Sequence, residues 1–505
     1  MKNSSTKFLI LLLSLLLAIS LVACDNNKPA ETTNAPGTTP EATPTIPEDS
    51  PESTPESTPG SNSETTPEST QESTPESTPE TTPETIPETT PNNQTLGNPD
   101  YSDEHSAGLV FTLNSDGNTY SVTDSIYYHK EIVVPKIYKG CYVTSIGAQA
   151  FYSSDANVII LPDTITSIEN NAFHDCSYLI SISLPSGLTS IGSNAFYRCD
   201  DLTEIILPDG LTSIGKQAFH SCSSLSEINV PGSVTHIGDD AFFGCTSLSS
   251  IKVDSNNNAY RSDGNCLIEK ETNTLIVGCK ESVIPNDVTS IGVNAFAKCF
   301  FTSITIPDGV ASIGDNAFLE CDHLTSITVP GSVTSLGRYA FMSCEKLASV
   351  TILGNVTSIE AGTFFQCTSL TEVKLPDSLT SIGKEAFHSC YDLESITIPS
   401  GVTSIGEGAF AMCSSLKEVK LPDSLTSIGK EAFGMCGDLE SITVPSGVTS
   451  IGEGAFAQCS SLKSINFEGT EEEWNSITKG NNWDYKMKDY TVYFGTSSQG
   501  SEAVN

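Results

Sequence analysis

Between residues 141 and 467 the apolar positions recur every 22 or 23 residues, with one longer step of 54. The dipeptide Ala-Phe marks the register. Its phenylalanines are Phe151, Phe173, Phe196, Phe219, Phe242, Phe296, Phe318, Phe341, Phe387, Phe410, Phe433 and Phe456, and Phe364 of Gly-Thr-Phe-Phe holds the same place. One unit copied 13 times with a single insertion accounts for those steps. In the copy from Leu416 to Cys436, Val419 and Leu421 fall on one side of an extended segment and Glu418 and Lys420 on the other, as strand alternation requires. Pro422 ends that strand. A turn should follow, with Leu425 and Ile428 as apolar anchors and Gly429 where a positive φ is tolerated. Ala432, Phe433 and Cys436 then stand at spacings that suit one helical or 3-10 turn. Each copy offers about eight inward side chains, too few to bury themselves, so neighbours must stack into a continuous core. The pattern predicts an α/β-type solenoid of about 13 coils with a parallel strand ladder and short helical or 3-10 turns.

Outside the repeat the pattern changes. Lys2 and Lys7 precede the apolar run Phe8 to Val22, the layout of an export signal over residues 1–23. It ends in Leu21-Val22-Ala23-Cys24, which resembles the lipobox of bacterial lipoproteins and implies acylation at Cys24. A plain membrane anchor, or a cleaved signal with Cys24 incidental, are the alternatives; the run is short beside the roughly 20 residues of a span. Residues 24–98 are rich in Thr, Pro, Glu and Ser and nearly empty of apolar residues, so they should stay extended and solvated. Such a spacer could reach about 200 Å in polyproline form. Residues 99–140 read as an N-terminal β cap with a hairpin about Asp116-Gly117. Residues 254–282 read as an extra β coil within the repeat, with a hairpin turn from Ser262 to Asn265. Residues 468–505 hold Trp474 and Trp483 and should cover the last coil.

The pattern LxxIxLPxxLTSIGxxAFxxC closely resembles the BspA-like class of bacterial leucine-rich repeats over residues 141 to 467. The resemblance implies a curved solenoid, a parallel ladder on its concave face, and a surface protein of adhesion or recognition. It names no ligand.

Composition narrows the partners. With 24 Lys plus Arg against 62 Asp plus Glu, the formal charge of -38 opposes partners held through phosphates, so nucleic acid is not expected. Of 16 cysteines, twelve occupy one repeat position: Cys176, Cys199, Cys222, Cys245, Cys299, Cys321, Cys344, Cys367, Cys390, Cys413, Cys436 and Cys459. A position filled in every coil is a packing position, so these should be free buried thiols in a column rather than bridges or metal ligands. Cys266 with Cys279 is the best disulfide candidate. Gly210 to Gln217 nearly spells a phosphate-binding loop, but the repeat explains those letters, and Asp254 to Tyr260 lacks the glycine of a calcium loop. His174, His220 and His388 share the position after the repeat phenylalanine without occupying adjacent coils. Every Ser and Cys of the repeat has a periodic explanation, so neither catalysis nor a cofactor is expected.

The outward strand positions form a hydroxylated track with charged pairs and no aromatic hot spot. Its charged members, Glu204, Glu227, Lys252, Glu372, Lys374, Glu418 and Lys420, are the candidate ligand-binding face. Residues 374–416 and 420–462 differ only at the pairs 388/434, 389/435, 391/437, 398/444 and 412/458, so a two-coil unit has been copied and the face lengthened. The expected function is adhesin-like binding of a host matrix protein or glycan by a lipid-anchored surface protein. A passive envelope spacer is the alternative.

Overall fold

The structure, a computed structural model, describes residues 108–126, 129–495 and 503–504. Cys24 and the signal lie outside the described residues, as does the spacer. The described chain winds as a leucine-rich repeat solenoid whose coils each present three backbone tracks.

The first track is the expected strand ladder. Ser395–Thr397, Glu418–Lys420, Ser441–Val444 and Ser464–Phe467 follow one another in parallel, with Ser395 opposite Glu418 and Ile442 opposite Ile465. The second track corrects the expected turn, because the Ser-Ile pairs form a parallel ladder of their own. Ser404–Ile405 pairs with Ser427–Ile428, and that with Ser450–Ile451. Beside it the Thr426 hydroxyl donates to the Thr403 carbonyl at 3.0 Å, and Thr403 to Thr380 at 3.4 Å, which explains the threonine that precedes Ser-Ile in nearly every coil, Ala311 being an exception. The glycine after each pair also has a different reason from the one expected. Gly429 is not among the residues with positive φ; a Cβ there would lie 2.5 Å from the Gly406 carbonyl carbon, so glycine permits the coils to approach.

The third track holds the phenylalanines and consists of single turns rather than a continuous helix. Its amides alternate. Ala432 and Cys436 donate to the carbonyls three residues back, Gly429 and Phe433, whereas Glu431, Phe433 and Met435 donate to Glu453, Ala455 and Ala457 of the next coil at 2.8 Å. Left-handed backbone at Glu431 (φ 53) and Met435 (φ 62) turns alternate N–H groups outward along the solenoid axis.

Val122, Leu275 and Lys479 take the isoleucine place in three further layers, opposite Ile146, Ile291 and Ile451, so about sixteen turns stand where thirteen phenylalanines were counted. The repeat phenylalanines are buried and stack almost parallel, 5.0 to 5.5 Å between ring centres. Stacked rings at that spacing add to area burial. The column stops once, between Phe242 and Phe296, and there the buried side chains divide into two clusters.

The insertion at that break is a meander. Tyr260–Asp263 pairs with Cys266–Glu269, which pairs with Thr274–Val277, and only the last joins the following coil in parallel. Asn257 is fully buried at its start and donates to the carbonyls of Pro231 and Val234, so Asp254 to Tyr260 is a structural turn. Leu109–Leu113 and Thr119–Ser125 form a hairpin at the N-terminal end. At the other end helix α1 (Glu471–Ser476) starts with a capping box between Thr470 and Glu473 and buries Trp474. Trp483 stands edge-on to Phe456 at 6.2 Å and closes the ring column.

Candidate ligand-binding face

Alternation along the first track puts Val419 and Leu421 in the core and leaves Lys417, Glu418 and Lys420 in solvent. Parallel register then aligns each outward position with its counterpart in the next coil. Ser349 stands opposite Glu372 and Thr351 opposite Lys374, while Ser395 faces Glu418 and Thr397 faces Lys420. Coils repeat at about 4.8 Å, so the dyads Glu372/Lys374 and Glu418/Lys420, two coils apart, recur at about 10 Å.

The other candidates sit elsewhere on this track. Glu227 and Lys252, in adjacent coils, form an ion pair at 2.9 Å, and that bond with a second from Asn229 holds the Glu227 carboxyl below the usual range. Glu204 is exposed on a coil whose residues 202–208 have no strand pairing. Further pairs cross between coils just before the strands, Lys417 to Glu394 at 2.9 Å and Lys463 to Glu440 at 3.3 Å. All are solvated, so they add little stability and remain free to exchange partners.

Two features went unread in the sequence. Toward its N-terminal end the track carries apolar residues among Ser183 and Glu204: Ile160, Ile180 and Tyr178 are exposed, Ile206 is 79% exposed, and the Lys130 ammonium stands 5.1 Å from the Tyr178 ring centre. An aromatic residue therefore does border the face. The second is a ladder of rings outside the phenylalanine column. Tyr152, His174, Tyr197, His220 and Phe243 stack in sequence at 5.0, 4.6, 4.6 and 4.7 Å, and Phe365 stacks on His388 at 4.9 Å. His174 and His220 are thus linked through Tyr197, while His388 stands apart. Aligning the copies by coil, rather than comparing histidines alone, would have exposed that signal.

Burial pushes His220 below its ordinary range, with Asp240 opposing and Lys298 reinforcing, and takes His388 down to about 4. Cys266, Cys279 and the column cysteines are free thiols, and among the described residues no three His, Cys, Asp or Glu side chains are placed to hold a metal ion. No helix among them is long and apolar enough to cross a membrane.

Comparison with known proteins places this geometry. The family model described as the BspA type leucine rich repeat region matches residues 144–264, 276–394 and 380–481. A leucine-rich repeat protein from Eubacterium ventriosum ATCC 27560 is 26% identical over 65% of this chain and 93% of its own, with a TM-score of 0.55. One from Bacteroides ovatus ATCC 8483 is 31% identical over 66% and 93%, with a TM-score of 0.46. A leucine rich cell surface protein from Faecalibacterium prausnitzii A2-165 is 26% identical over 75% and 97%, with a TM-score of 0.39. None of the curated proteins matches.

Proposed function

Because the chain belongs to the BspA type leucine-rich repeat family, we propose that it is a non-enzymatic surface protein whose first track binds an extended polymer, a host matrix protein or glycan. The supporting observation is the Glu372/Lys374 dyad repeated two coils on as Glu418/Lys420 on an exposed track. A repeating ligand can engage such dyads in step, and weak contacts linked on one rod sum to avidity. The export signal, Cys24 and the Thr/Pro/Glu/Ser-rich spacer support display from a lipid anchor on the outer side of the bacterial membrane.

The test is binding of the whole chain to immobilised matrix proteins, mucins and polysaccharides. Deleting residues 374–419 joins Val373 to Lys420 and removes two coils without altering the local text. Binding that weakens on this deletion, with the fold retained, supports the reading. Binding to none of the polymers, together with a weakened envelope in cells lacking the protein, would replace it with the passive spacer.

A further inference from the structure

In the coils around the break, the third track closes with three amides given to the next layer, from the residues two before, at and two after the phenylalanine. Gln217, Phe219 and Ser221 donate to Asp239, Ala241 and Phe243; Asn294, Phe296 and Lys298 donate to Asp315, Ala317 and Leu319. In the coil between them the corresponding amides, Asp240, Phe242 and Gly244, have no backbone acceptor among the described residues.

The insertion supplies the layer that should receive them, and that layer is too short. Gly278 follows Leu275 by three positions, whereas Phe433 follows Ile428 by five. Gly278 nonetheless acts as the missing phenylalanine's backbone, donating to the Ala295 carbonyl at 2.7 Å and accepting the Cys299 thiol at 3.8 Å. A Cβ at Gly278 would lie 1.9 Å from Phe296 Cε1, so no side chain can fill the layer. A cleft of about 630 Å³ is left between the coil of Phe242 and residues 276–280. That volume falls among small-molecule sites, which span roughly 300 to 1,000 Å³.

Its lining favours acceptors. Besides the three amides, Lys216, Lys280 and Lys298 line it against Asp239 and Asp240, a positive balance within a chain of net charge -38. Lys298 is held by Glu320 at 2.9 Å and Lys216 lies 4.0 Å from Asp239, while Lys280 forms no ion pair among the described residues. Asn294 donates to Asp240 at 2.6 Å and ties the coils on either side of the break. The half-buried Phe243 ring, last of the outer ladder, supplies an aromatic surface.

We propose that this cleft binds an acidic sugar of one or two rings, its carboxylate received by the Asp240, Phe242 and Gly244 amides and Lys280, and a ring face set against Phe243. A peptide strand would need free donors and acceptors in alternation, and this wall presents donors. The site stands apart from the first track, so its failure leaves the proposed function untouched.

The experiment is amide hydrogen exchange on the whole chain with digalacturonate, diglucuronate or sialate, using neutral galactobiose and a Glu-Glu peptide as controls. In the free protein the three amides should exchange faster than those of Gln217, Phe219 and Ser221, and an acidic sugar should slow them at least about tenfold, the equivalent of one charge-assisted bond. Lys280 and Val293 are exposed, so K280E and V293W should keep the melting temperature and weaken binding by a similar factor. Amides already as protected as their neighbours, equal protection by either control, no protection by any acidic sugar, or unchanged affinity in K280E would each overturn the proposal.

Discussion

The coils before the insertion and those after it fill their interiors with the same side chains and differ outside. From Phe151 to Phe242 the position after the phenylalanine is Tyr, His, Tyr, His and Phe; in the later coils Phe365 and His388 keep a ring there, while Ala297, Leu319, Met342, Ala411, Gly434 and Ala457 do not. The first track changes earlier: exposed Ile160, Ile180 and Ile206 lie toward the N-terminal end, and Glu227, Asn229 and Lys252 already make it polar before the insertion. Inward positions are constrained by stacking on both neighbours, while outward ones answer only to solvent and ligand. The difference shows that one solenoid can carry more than one kind of surface along its length.

The sharpest way to break this comparison is to open one interior at a time. Phe410→Ala should cost about 3 to 5 kcal/mol, as expected for a buried aromatic. Since the buried side chains form two clusters, hydrogen exchange should accelerate in coils 296–456 and leave 151–242 unchanged, with Phe196→Ala doing the reverse. Equal acceleration in both halves would show that the division has no energetic meaning.

Acid should act next, through His388 of the later coils. The neutral form of His388 is favoured by burial, so the unfolded chain takes its proton near 6.5 and the folded chain only near 4. The folded pKa is the lower, so this contribution is complete above about pH 6.5 and is lost as pH falls toward 4. By linkage it reaches up to about 3 kcal/mol. His388→Phe, which keeps a ring against Phe365, should flatten the difference in urea midpoint between pH 7 and pH 4.5. A slope equal to that of the unaltered protein would refute the assignment. Glu385, raised by burial in the same coil, works with the opposite sign and cancels in that comparison.

Tyr197→Ala interrupts the outer ladder between His174 and His220 and should cost about 1 to 2 kcal/mol in the N-terminal coils, although the coil of Phe410 manages with Ala411. A loss near zero by thermal unfolding would make the ladder ornamental. Smallest of all, replacing Glu418 and Lys420 together by alanine should shift stability by less than about 0.5 kcal/mol while weakening polymer binding.

The inward half of the fold was legible in the sequence because periodic identity and burial coincide: Phe433, Cys436, Val419 and Leu421 are core for the reason that they recur. The outward placement of Glu418 and Lys420 followed from alternation. The second ladder was hidden because Ser427 and Ile428 are too few to alternate, and their pairing lies 23 residues away in the chain. The role of Gly429 was hidden for the same reason, since its constraint is the neighbouring coil's backbone. The cleft depends on what is absent, a five-residue step shortened to three, which no motif records.

The cysteine column has a consequence for how the protein meets oxidants. Cys436 donates its thiol to the Phe410 carbonyl of the preceding coil at 3.2 Å, and Cys459 does the same to Phe433 at 3.0 Å. Burial pushes the Cys413 thiol up to about 12, so at neutral pH it has almost no thiolate to react. Sulfur here serves as a silent backbone clasp, indifferent to whether its surroundings oxidise or reduce. Each such atom is also a latch with its own timer: an alkylating reagent can mark it only during the moments when its own coil lifts.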